Sequence, residues 1–177
     1  MNDKLKKTFT CNLLIITLIF SCGYQASAQE KLNISGGLGL PELLNIGVRY
    51  QLEQVQIGFS VGSMPYGSGE YLVSFSGDVY YHFGGSSELS NRKPWYGRIG
   101  LNYLRDESEL VIDKYFYLTT RFGRDFNISR KIGIEIDIGA IFQLSNKEIR
   151  KSPPSGWDFN FEYSVLPSIG VGLFYRI

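Results

Sequence analysis

The chain has 177 residues, room for about one domain, and its 18 basic against 17 acidic side chains leave a formal charge of +1. Near-neutrality without a basic run excludes the electrostatic footprint of a nucleic-acid-binding protein. Its two cysteines, Cys11 and Cys22, both lie close to the N-terminus, so no disulfide or thiol chemistry is expected beyond that region.

The N-terminus reads as a cleavable secretory signal. Lys4, Lys6 and Lys7 form a basic start, residues 13–20 are apolar except Thr17, and Ala26-Ser27-Ala28 offers small residues where a signal peptidase reads. The expected cut after Ala28 gives a signal peptide over 1–28 and a mature domain over 29–177 that begins at Gln29. Removing three lysines with Asp3 takes the charge from +1 to −1. Ile19-Phe20-Ser21-Cys22 loosely resembles a lipoprotein box that would acylate Cys22 instead. Bulky Phe20 and the downstream Ala-Ser-Ala make this the minor reading.

About eight extended segments follow in the mature chain, with no long helical pattern. Residues 31–40 set Leu32, Ile34, Leu38 and Leu40 against Asn33, Ser35, Gly37 and Gly39, and Pro41-Glu42 breaks the run. Residues 43–52 and 55–62 alternate in the same way across a tight turn at Glu53-Gln54, and 64–69 is a Pro/Gly/Ser loop. Residues 70–83 set Tyr71, Val73, Phe75, Val79 and Tyr81 opposite Ser74, Ser76, Asp78 and His82. A polar connection over 84–93 leads to 94–104, then a charged loop at 105–109 and a sixth segment near 112–126. Residues 132–144 alternate most regularly, with Ile132, Ile134, Ile136 and Ile138 against Gly133, Glu135, Asp137 and Gly139. A long segment over 145–156 precedes the last stretch, in which every second residue from Trp157 and Phe159 to Ile177 is uncharged.

The apolar faces are large and continuous, whereas the opposite faces combine glycine with Arg49, Asp78, Arg98, Arg121, Glu135, Asp137 and Arg176. Large residues outside and small or ionic ones inside suit a narrow barrel surrounded by lipid. If the chain starts on the periplasmic side, the connections there are short except 84–93, and the outer ones are longer. Aromatic residues fall at both rims: Tyr50, Tyr81, Trp95 and Tyr175 at one end, Tyr71, Tyr103, Phe116 and Phe142 at the other. The predicted fold is therefore all-β: an eight-stranded antiparallel up-and-down transmembrane β-barrel preceded by a cleavable signal peptide.

At this point the mature chain resembles the small outer-membrane β-barrel proteins of the OmpA/OmpX type. The sharpest likeness is at the C-terminus, where Ser168, Gly170, Leu173 and Tyr175 match the alternating signal read by the barrel assembly machinery. Ile177 stands where that family usually ends in Phe. The resemblance implies an integral outer-membrane location with periplasmic termini. It also implies the assembly machinery and outer-membrane lipids, including lipopolysaccharide, as partners, and names no ligand or cofactor.

Two groups of residues are candidates for function. The interior charges Arg98, Arg121, Glu135, Asp137 and Arg176 could line a small pore, but buried charges need partners and an eight-stranded barrel is filled by side chains. A packed ionic network is the favoured reading, with Arg121 and Arg176 as neighbours for Glu135 and Asp137. The second group is the outer loop: Lys147, Arg150 and Lys151 followed by Trp157 and Phe159, either a binding ledge for a surface ligand or residues that meet lipid headgroups. His82 is the only histidine, and it lacks the His-x-Ser spacing expected of a lipid A deacylase. A non-enzymatic envelope-structural or surface-interaction role is expected. A narrow solute channel is the alternative, and a lipid A-modifying enzyme the less favoured one.

Overall fold

In the computed structural model, residues 31–66, 70–108, 111–150 and 164–177 are described, and they form a closed barrel of eight strands. The strands are β1 (Leu32–Gly39), β2 (Leu43–Leu52), β3 (Val55–Tyr66), β4 (Glu70–Gly84), β5 (Trp95–Glu107), β6 (Val111–Asn127), β7 (Ile132–Arg150) and β8 (Val165–Arg176). Each pairs antiparallel with its neighbours in sequence, and β8 closes on β1 with Asn33 opposite Arg176 and Gly37 opposite Gly172. The predicted fold class is observed. The expected signal peptide, with its cleavage site at Ala26, Ala28 and Gln29 and the rival Cys22, lies outside the described residues.

Alternation along the strands sorts the side chains into two environments. Phe59 is 66 % exposed and Ile138 64 % on the outer wall, whereas Asp78, Arg98, Arg121 and Asp137 are buried inside. This inverts the usual arrangement of a water-soluble protein, in which a large exposed apolar surface is unusual.

Strand lengths depart from expectation at the end away from Lys31 and Ile177, called here the distal end. The sequence pattern ends the seventh strand at Leu144 and reads 105–109 as a loop. The structure instead carries β5 to Glu107 and β7 through nineteen residues to Arg150. A register shift opposite Phe116 and Tyr117 pairs them with Ser145 and Gln143 and leaves Leu144 unpaired. One extra residue reverses the inside–outside alternation, so a pattern of period two fades there although the strand continues.

Candidate functional site

The barrel interior is the chemically distinctive region. Among the described residues, the buried charged groups are five arginines (Arg49, Arg92, Arg98, Arg121, Arg176) and five carboxylates (Glu42, Asp78, Asp125, Glu135, Asp137). The formal charge of the interior is therefore balanced. No lysine is among them, which follows from geometry: a planar guanidinium can bind two or three acceptors at once, and a buried charge must find that many.

The distal layer is organised by Arg98 and Arg121. Inward positions of β4 and β5 set Arg98 against Asp78, with Nε and Nη2 each 2.9 Å from a carboxylate oxygen. Arg98 Nη2 also donates to Glu42 at 2.6 Å, and its Nη1 lies 3.4 Å from Asp137. Arg121 on β6 donates to Asp137 at 3.0 Å and to the other Glu42 oxygen at 2.5 Å. Tyr96 completes the Asp137 acceptor set with a hydroxyl 3.1 Å away.

Glu42 reaches this layer because the β1–β2 connection folds into the barrel mouth. Its main-chain oxygen accepts from Ser74 at 2.7 Å, and the Leu40 carbonyl accepts from Ser168 at 2.7 Å and from Arg121. The next residue, Leu43, takes a left-handed φ of 65°, uncommon for a leucine. Glu53, in the β2–β3 turn, is the other described non-glycine residue there. Such a conformation persists where surrounding contacts over-determine it, and the hydrogen bonds on either side of Pro41 do so. Burial raises the Glu42 carboxyl pKa, but Arg98 and Arg121 lower it by more, so it sits below the ordinary glutamate value of 4.5.

A middle layer crosses the lumen. Arg49 on β2 forms a two-pronged ion pair with Glu135 on β7. Tyr80 lies between the arginines of the two layers, with Arg49 4.7 Å and Arg98 5.2 Å from its ring centroid. Along the β1–β3 wall, where the inner residues are Ser35, Gly37, Asn45, Gly58 and Ser60, a cavity of ≈ 20 Å³ remains. That is room for about one water.

The end carrying Lys31 and Ile177 is closed by the connection between β4 and β5. Arg92 from that loop enters the barrel, pairs with Asp125 at 2.6 Å, donates to Gln51 at 3.0 Å and stacks on Phe174. His82 Nδ1 donates to the Lys93 carbonyl at 2.9 Å, which leaves Nε2 as the acceptor in the neutral ring. His82 Nε2 has no partner among the described residues, so no nucleophile–base pair is built on it.

The predicted interior residues are thus brought together: the expected Arg121–Asp137 pair forms, and the others find different partners. Glu135 is held by Arg49 across the lumen rather than by Arg121 or Arg176. Arg176 donates to the Arg130 carbonyl at 2.9 Å and to Asn127 at 2.5 Å. Adjacent strands decide only part of the pairing, as in Arg98–Asp78 and Arg121–Asp137, because a narrow barrel also lets long side chains meet across its axis. Glu42 and Arg92 were not singled out in the sequence. For Arg92 the one signal was the unexpected length of the 84–93 connection. For Glu42 nothing beyond the Pro41 break pointed inward.

The C-terminal residues divide by face. Ser168 and Gly170 point inward, where Ser168 accepts from Arg121, while Leu173 and Tyr175 are exposed on the outer wall. Ile177 follows β8, and its N–H donates to the Leu32 carbonyl at 2.8 Å. Of the outer-loop candidates, Lys147 is an exposed residue of β7 opposite Lys114, and Arg150 ends that strand opposite Val111. Lys151, Trp157 and Phe159 lie outside the described residues. Neither a protein-family model, nor a curated protein, nor a solved structure matches the chain.

Proposed function

We propose that this chain is an integral β-barrel of a Gram-negative outer membrane, a small barrel of the OmpA/OmpX kind with periplasmic termini. Its role is non-enzymatic, either structural in the envelope or one of surface interaction through the distal ends of its strands. The observation that carries the reading is the inversion of the two faces: a continuous apolar outer wall around a lumen that holds five buried arginines and five buried carboxylates. In water, that outer wall would leave Ile46, Phe59, Ile138 and many like them hydrated. In a bilayer the same residues are in their preferred solvent, and a closed barrel satisfies every central strand's hydrogen bonds.

The interior favours a sealed barrel over a narrow solute channel. Guanidinium and carboxylate groups cross the lumen at two levels, and the Arg92 loop fills one mouth. An ion or solute would have to displace paired charges rather than water. The test uses the protein over 29–177 refolded into phospholipid vesicles. Insertion is expected to give flotation with the vesicles and a heat-dependent shift in gel mobility, and planar bilayers should record no defined conductance step. Protein left in the aqueous phase sinks the membrane reading; regular conductance steps replace the sealed barrel with the channel.

A further inference from the structure

One charge on the outer wall is out of keeping with its surroundings. Outward positions of β6 run Leu118, Thr120, Phe122, Arg124 and Phe126, and Arg124 lies between Trp95 on β5 and Ile136 on β7 in the register. Its guanidinium carbon is 5.0 Å from the Trp95 ring centroid and 5.1 Å from that of Phe126. Among the described residues no hydrogen-bond acceptor or carboxylate pairs with it, and the acids beside it in sequence and register, Asp125 and Glu135, point into the barrel.

Resting on the membrane reading, we infer that Arg124 binds the phosphate of a glycerophospholipid in the leaflet nearest the chain termini, with Trp95 and Phe126 holding its guanidinium in place. Two aromatic faces fix the guanidinium plane by cation–π attraction and leave its edge of N–H donors free. A phosphodiester presents the matching acceptors, and arginine forms charge-assisted, paired hydrogen bonds to it. The level is suitable as well, because Trp95 and Tyr175 lie at this end, where an aromatic girdle meets headgroups. Directly across from Phe122, outward-facing Gly97 leaves a gap: a Cβ there would meet nothing within 4 Å. The gap gives an acyl chain a place to lie beside the ring of Phe122. An inorganic phosphate shares the headgroup chemistry but has no chain to use it.

Native mass spectrometry of the barrel in a mild detergent, titrated with phosphatidylglycerol, tests the inference. The first lipid should bind about tenfold more weakly to Arg124→Leu, the loss expected for about one charge-assisted hydrogen bond. Arg124→Lys should fall between the two, because it keeps the charge without the planar fork. Arg130→Leu removes the same charge from the exposed β6–β7 turn and should bind as the wild type does. Equal weakening by Arg124→Leu and Arg130→Leu, or none in either, overturns the inference. Displacement of the lipid by an equal concentration of inorganic phosphate overturns it too, since the ligand would then be a free anion. A wild-type barrel that does not float with vesicles defeats the membrane reading itself. Normal flotation with unchanged lipid binding by Arg124→Leu defeats only this inference.

Discussion

Glu42 and Arg98 are fifty-six positions apart in the chain, yet the Glu42 carboxylate lies 2.6 Å from Arg98 Nη2 in the barrel interior. Glu42 bridges Arg98 on β5 to Arg121 on β6, so one carboxylate from a short connection joins two strands of the opposite wall. Removing it leaves two buried guanidinium groups short of an acceptor. Glu42→Gln keeps the size but loses the charge, and should destabilise the barrel by about 3 kcal/mol, the usual cost of breaking a buried pair from one side. Urea unfolding followed by loss of the compact gel band measures this. Glu53→Gln, in the exposed β2–β3 turn, should change little.

The same carboxylate gives a pH dependence of defined sign. Because its folded pKa is lowered below 4.5, the unfolded chain binds the proton more readily than the folded one. Its contribution is fully present above the unfolded value and disappears as pH falls through the lowered folded value. The gap in unfolding midpoint between wild type and Glu42→Gln should therefore be constant near neutrality and shrink only at pH below 4.5. A gap that already narrows between pH 8 and pH 6 would contradict the ion-pair account.

Gly62 is the seat on which this turn rests. A Cβ at that position would collide with the Glu42 carbonyl oxygen and would lie 2.7 Å from Ser74 Oγ. Backbone cannot step aside as a side-chain end can, so Gly62→Ala should push the turn out and cost about 1–3 kcal/mol by overpacking. Gly97→Ala is the counterpart, since its Cβ meets nothing within 4 Å, and its unfolding midpoint should match the wild type within error.

The architecture is legible in the sequence because alternation has a period of two, and an apolar outer wall repeats that period along most of each strand. Ile132, Ile134, Ile136 and Ile138 are enough to place β7 and to say which side of it faces in. The pairing inside is legible only in part: Arg121–Asp137 follows from neighbouring strands, and the rest does not, for two physical reasons. Alternation states that Glu135 points inward but not which of four or five inward arginines reaches it, since partners meet across the axis as readily as between neighbours. Connections also carry no period, so the inward turn at Glu42 and the plug residue Arg92 leave no repeating signal. The upper part of β7 is lost for a third reason: the irregularity at Leu144 reverses the alternation, and beyond it the side chains are exposed on both faces.

The Arg92 loop should behave as a local unit. Its hold on the barrel includes the pairs to Asp125 and Gln51, the Asn127–Ser87 bond, and His82 and Gln54 bonded to Lys93 and Asn91. Arg92→Ala removes the central pair and leaves Asp125 buried without its cation. Faster cleavage within residues 85–93 by added protease is expected, with the eight strands still resistant. Unchanged cleavage would mean that the bonds from His82, Gln54 and Asn127 secure the loop without Arg92.

The Arg49–Glu135 pair permits the sharpest separation between a network that stabilises and one that only fills space. Each partner is buried, and each is the other's two-pronged acceptor or donor. Arg49→Met or Glu135→Leu alone should each cost about 3–5 kcal/mol, because either leaves one unpaired charge in the lumen. The double variant removes both charges together and fills the space with apolar atoms. Its cost should be smaller than that of either single change, since an apolar replacement of a whole buried pair is often neutral or stabilising. Tyr80 bears on the result, because Arg49→Met also withdraws one of the two cations from its ring. Part of the Arg49 cost should therefore survive in the double variant. Strict additivity in a urea-unfolding cycle would mean the two side chains do not interact, and would remove the middle layer from the network that stabilises the barrel.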